Sequence, residues 1–155
     1  MNLPKKEQLL QLIENISSYD KIRPEYQKLI ERLLNLAKSY FKNDFVAYYL
    51  LGSVGRGEDI PYVSDIDTVV IINRDATKKD IEWASAIAKK QQLNYKKLYR
   101  IDLGICSLNE VYDKNPQKLQ FIFKTDGLLI YGKEITKIIK QTTSNSIKAA
   151  RLAFT

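Results

Sequence analysis

The strongest pattern in the chain is a helical stripe. Tyr26, Leu29, Ile30, Leu33, Leu34, Ala37, Tyr40 and Phe41 recur every three or four residues, the period of an amphipathic helix. Pro24 suits its first turn, and Lys42-Asn43-Asp44 ends it. A shorter stripe of Leu9, Leu12, Ile13 and Ile16 predicts an earlier helix over residues 5–16, broken by Ser17-Ser18-Tyr19-Asp20. The period then changes. Phe45 to Leu51 is a continuous aromatic and aliphatic run, which reads as a strand. Gly52 to Ser64 is a connection with a short helix beginning near Ser53, and Asp65 to Ile72 is a second strand. Thr77 with Asp80 resembles a capping box. The helix it opens runs to about Gln92 and is expected to bury Ile81, Ala84, Ile87 and Ala88.

Leu98 to Ser107 alternates, with Tyr99, Ile101, Leu103 and Ile105 on one side and Arg100, Asp102 and Gly104 on the other. That is a third strand. Asn115-Pro116 starts a helix carrying Leu119, Ile122 and Phe123, and Asp126-Gly127 closes it. Leu128 to Tyr131 is a short fourth strand. A last helix is expected from Lys133 to Gln141, then a polar linker and a helical tail. Strands alternating with helices imply an α/β (α+β) fold, a mixed sheet packed by helices. The expected division is N-terminal helices over 1–43 packed on a core domain over 44–141, with a short helical tail over 142–155.

Composition narrows the chemistry. The 155 residues contain no His and a single Cys, Cys106. A His base, His metal ligands, an internal disulfide and a Cys-built zinc site are therefore excluded. Any acid–base or metal chemistry rests on carboxylates. A formal charge of +7 favours an anionic partner such as a nucleotide. No apolar run approaches the ~20 residues that span a bilayer. Polar and charged residues interrupt the N-terminus, so no signal segment is read there and a cytoplasmic location is expected.

The carboxylates that matter stand at the starts of strands. Asp65 and Asp67 are two residues apart, and a strand points such a pair to one face. They repel unless a cation lies between them or one carries a raised pKa. Asp102 offers a third acid on another strand, with Gly104 leaving room beside it. None of the three suits a dry core, so one sheet face must open to a cleft. Twelve residues before Asp65, Gly52-Ser53 leads from a strand into a helical turn. Backbone N–H groups at such a turn cradle phosphate, with Arg56 one turn further on. Hard oxygen ligands select Mg²⁺ or Mn²⁺. Together these features fit phosphoryl or nucleotidyl transfer by two metal ions.

Leu51-Gly52-Ser53, Arg56-Gly57 and Ser64-Asp65-x-Asp67 followed by aliphatic residues resemble the motif of the DNA polymerase β-like nucleotidyltransferase superfamily. The resemblance covers about Phe45 to Ser107 and extends loosely to Lys133, in a size similar to the minimal bacterial members. It implies that residues 44–141 are a catalytic domain and that Gly52 and Ser53 bind the phosphates of an NTP. It implies further that Asp65 and Asp67 hold both metals, and that Asp102 holds the catalytic metal and accepts a proton. Arg56 and Ser64 are implied as further nucleotide contacts. Asp113 and Asp126 compete with Asp102 as third acid, but neither is centred in an apolar strand. Gly55 departs from the family pattern, standing where a helix former is more usual. The expected reaction is transfer of NMP, with ATP as donor, to a hydroxyl of a small molecule or a protein. Two alternatives stay open: an antitoxin-like nucleotide-binding module acting through a partner protein, and an RNA nucleotidyltransferase. The acceptor and the oligomeric state are not legible in these residues.

Overall fold

A computed structural model describes residues 15–136. The expected helix over 5–16, the linker and the tail lie largely or wholly outside them. Helix α1 is Pro24–Phe41, with Pro24 at its first position. Its stripe of Tyr26, Leu29, Ile30, Leu33, Ala37 and Phe41 is buried, and each fully buried Leu or Ile contributes about 1.5–3 kcal/mol. Strand β1 is Phe45–Leu51. A four-residue helix α2 follows, Ser53–Arg56, and then strand β2, Ile66–Ile72. Helix α3 is Lys78–Gln92, β3 is Ile101–Ser107, α4 is Pro116–Asp126 and β4 is Gly127–Gly132. A π-helical turn, Glu110–Lys114, bridges β3 and α4.

The four strands form one mixed sheet in the order β3-β2-β1-β4. Strands β2 and β3 are parallel, while β1 runs antiparallel to both β2 and β4. One face carries Tyr48, Leu50, Ile66, Val70, Ile72, Ile101 and Leu103 against α1 and α3. Tyr40 of α1 stacks on Trp83 of α3, with centroids 4.1 Å apart and planes 12° apart. The other face packs Ala47, Tyr49, Ile71 and Cys106 against Val111 of the π turn and Phe123 of α4. That second layer covers the far part of the face and leaves Asp67, Val69, Asp102 and Gly104 only half-buried. Among the described residues no helix is long and apolar enough to cross a membrane.

Several sequence expectations change. Ile81, expected in the core, is 51% exposed on α3, and Tyr99 is 70% exposed. Strand β3 begins at Ile101 instead of Leu98, because residues 93–100 form a turn held by one side chain. The Gln92 amide donates to the carbonyls of Tyr95 and Leu98 and accepts from the Ile101 N–H. Leu98 is still buried, but from that turn. The last expected helix does not begin at Lys133, since residues 133–136 are irregular. Their N–H groups are engaged elsewhere: Lys133 donates to the Val46 carbonyl and Ile135 to the Tyr49 hydroxyl.

Candidate functional site

The sheet register assembles the site. Asp67 pairs with Asp102 across β2 and β3, and register neighbours on strands about 4.8 Å apart point to the same face. Asp67 also pairs with Leu51 at the end of β1, and Leu51 pairs with Gly127 at the start of β4. One edge of the sheet therefore reads Asp102, Asp67, the Leu51-Gly52 turn, then Asp126-Gly127. Asp65 stands just before β2, two residues from Asp67.

Gly52 has φ +88° and ψ −162°, a backbone state open to Gly and strained in any other residue. A Cβ there would meet nothing within 4 Å, so backbone conformation, not space, explains the glycine. The strand turns into α2 at this point, and Gly57 ends that helix in the left-handed region at φ +70°.

Each sequence-predicted residue has a definite setting. The Gly52 N–H donates to Asp126 Oδ2 at 3.1 Å. Arg56 donates to Asp126 Oδ1 and to Glu58 Oε2. Ser53 opens α2 directly after Gly52. The Ser64 hydroxyl accepts from the Ile60 N–H at 2.7 Å, closing the loop that leads to Asp65. Asp113 lies exposed in the π-helical turn. Asp126, set aside in the sequence as part of a closing turn, stands at the edge of the site because β4 pairs with β1.

Sequence reasoning passed over Arg100. Its guanidinium donates to Asp102 Oδ2 at 2.9 Å and to Asp65 Oδ2 at 3.4 Å, and it neutralises two of the three acids. The signal was present in the alternation, which sets Arg100 on the same side as Asp102. Its chain neighbour Tyr99 is exposed, and the Tyr99 N–H donates to the Ser64 carbonyl at 3.1 Å. Tyr62 has φ +67°, and its N–H donates to the Lys97 carbonyl at 2.7 Å.

The electrostatics are those of a crowded anionic edge. Burial first, then the Asp102, Asp126 and Asp65 carboxylates, push the Asp67 carboxyl up to about 6, against the opposing pull of Arg100. Asp65 Oδ1 is buried without a hydrogen-bond partner. An orphaned carboxylate oxygen costs on the order of 1–3 kcal/mol or more, and a bound cation would relieve it. Among the described residues, no three acidic side chains already converge as a metal cage; Arg100 draws Asp65 and Asp102 to itself. The hard oxygen donors, the orphaned atom and the raised proton affinity of Asp67 nonetheless fit a divalent cation.

A sequence profile of the nucleotidyltransferase domain family matches residues 27–143. No curated protein matches the chain significantly. Among solved structures, the chain is similar to a spectinomycin adenyltransferase from Enterococcus faecialis determined with ATP and spectinomycin. The TM-score is 0.60 and the identity 17%, over 82% of this chain. The match spans 64% of that enzyme's length. The chain also matches one chain of the tri-AMPylated Shewanella oneidensis HEPN toxin in complex with MNT antitoxin. There the TM-score is 0.46 and the identity 17%, covering 83% of this chain and 91% of the other. At 17% identity the likeness to the adenyltransferase concerns the fold.

Proposed function

The chain belongs to the nucleotidyltransferase domain family, and we propose that it transfers AMP from ATP to a hydroxyl of a small molecule or a protein. The observation that carries this reading is the facing pair of sites on one sheet edge. Asp67 and Asp102 are register neighbours, and Asp67 adjoins the Gly52 turn through Leu51. A donor turn for phosphate thus lies beside acids for metal.

In this reading Gly52, Ser53 and Arg56 take the triphosphate. Asp65, Asp67 and Asp102 would hold Mg²⁺ or Mn²⁺, which would supply charge neutralisation at phosphate and lower the pKa of a bound hydroxyl. Arg100, which now holds Asp65 and Asp102, would give them up where they held a cation. The acceptor oxygen bonds to the α-phosphorus as the bond to the bridging α–β oxygen breaks. Pyrophosphate leaves, and the acceptor's proton passes to Asp102. Ser64 shapes the loop in front of Asp65.

The test is transfer of label from each of the four NTPs, with Mg²⁺ or Mn²⁺, to aminoglycosides and related drugs, to RNA, and to proteins of a cell lysate. AMP on a drug or a protein supports the reading, and label on RNA alone replaces the acceptor class. Asp65→Asn with Asp67→Asn should abolish transfer, and persistent transfer in that double variant would sink the metal assignment. Full activity in Asp102→Asn would remove Asp102 from the mechanism.

A further inference from the structure

Asp126 occupies the donors that the reading above gives to the triphosphate. Its two carboxylate oxygens take separate partners, Oδ2 the Gly52 N–H and Oδ1 the Arg56 guanidinium. A carboxylate and a phosphate oxygen are the same kind of guest for such donors. The position is unfavourable on two other counts. Asp126 is the last residue of α4, where the helix dipole disfavours a negative charge. It also adds to the crowding that raises the proton affinity of Asp67. Its backbone leaves it little freedom: Gly127 is buried, pairs with Leu51, and its carbonyl accepts from the Asn15 amide at 2.7 Å. The carboxylate is therefore delivered to the Gly52 turn by β-sheet pairing.

We propose that Asp126 is a positioning residue that keeps the Gly52 N–H and Arg56 set for an anion and is displaced from them by the nucleotide's phosphates. This rests on the nucleotidyltransferase reading of the site. Nucleotide binding is then an exchange of one anion for another, and Asp126 competes with the ligand it prepares for. Its return to the turn helps pyrophosphate to leave.

Asp126→Asn separates the two halves of this device. The amide oxygen still accepts from Gly52, so the turn keeps its shape, but the charge that holds Arg56 is gone. Titration calorimetry of the full chain with ATP, and separately with tripolyphosphate, should give dissociation constants about 5- to 20-fold lower than wild type. In steady state KM should fall, and kcat should fall with it because pyrophosphate leaves more slowly. Asp126→Glu should restore values near wild type. In an Arg56→Gln background the gain from Asp126→Asn should vanish. Asp126→Ser gives a second reading of the same competition if the Asn variant folds poorly. Unchanged or weaker polyphosphate binding in a variant of wild-type thermal stability overturns the proposal. Tighter tripolyphosphate binding supports it even if no acceptor for AMP is found. Wild-type protein that binds neither ATP nor tripolyphosphate overturns both this inference and the reading on which it rests.

Discussion

Asp80 and Asp67 are acids of one small fold, held in opposite ways. Asp80 sits at the third position of α3, where it completes a capping box with Thr77. It takes hydrogen bonds from Arg74, from the Thr77 N–H and from the Tyr40 hydroxyl. The Arg74 guanidinium above all, then Thr77 and Tyr40, hold its carboxyl well below the usual range despite burial. Asp67 has no such company. Burial and three other carboxylates push it up to about 6, and its neighbour Asp65 keeps one buried oxygen unpartnered. A carboxylate that the fold satisfies holds the fold together. One that the fold leaves unsatisfied stays available to a ligand, at a cost in stability.

The sharpest way to break this comparison is to make the same isosteric change at both positions. Asp80→Asn removes the charge from a fully satisfied acid beside Arg74, and should cost about 2–3 kcal/mol, or roughly 5–10 °C in Tm. Asp67→Asn should do the reverse and raise Tm at pH 7.5 by about 2–4 °C, the partial exposure of the site keeping the gain small. Nucleotide transfer should drop by about a thousandfold or more in Asp67→Asn and stay intact per folded molecule in Asp80→Asn. Thermal melts and initial rates on the two variants measure both. A loss of stability in Asp67→Asn would mean that its charge is satisfied after all.

Acid separates the two acids next. Folded Asp67 holds its proton up to about 6, whereas an unfolded Asp titrates near ~3.9. Between those values the folded state binds the extra proton, so this group's contribution to stability rises as pH falls. The Tm advantage of Asp67→Asn at pH 7.5 should therefore begin to shrink as pH falls through about 6, the folded value, and vanish only near the unfolded value of ~3.9. Asp80 has the opposite sign. Its lowered folded pKa gives stability that is present above the unfolded value and is lost only as pH falls below it. Transfer should decline below about pH 6, where a proton competes with the cation at Asp67, while the fold keeps its stability. Activity and Tm falling together between pH 7 and 5 would refute the assignment.

Much of this contrast was legible in the residue order, and the rest needed the sheet. The limits of α1 and β1 follow from the 3.6-residue stripe and the unbroken apolar run, and the Thr77–Asp80 box announces α3. These are local signals, carried by residues a few positions apart. Asp67 and Asp102 could be named as candidate site acids because strand starts inside apolar runs are poor places for charge, and the register sets them side by side. Asp126 could not, since its closeness to Gly52 depends on β4 pairing with β1 over more than seventy residues. The turn at 93–100 escaped for a related reason. Leu98 and Tyr99 continue the strand alternation, but the Gln92 side chain meets the backbone groups that a strand partner would otherwise have met. Ile81 fitted the helical stripe of α3, yet α1 and the sheet cover only the Ala84 and Ala88 side.

Arg100 is the finest test of the comparison, because it gives Asp65 and Asp102 part of what Arg74 gives Asp80. Its side chain is 61% exposed, so solvent screens its pairs with them, and Arg100→Gln should move Tm by little. Its effect on the acids should be clearer. Without the guanidinium the three carboxylates face one another less relieved, and Asp67 loses a charge that lowers its proton affinity. The acid limb of the transfer profile should then shift upward in pH. Mn²⁺ titrated into the nucleotide-free protein at pH 7.5, followed by electron paramagnetic resonance, should bind about 3- to 10-fold more tightly, since the cation no longer competes with Arg100. Weaker Mn²⁺ binding in Arg100→Gln would show that Arg100 orients Asp65 and Asp102 for the metal instead of standing in for it, and the contrast with Arg74 and Asp80 would lose its basis.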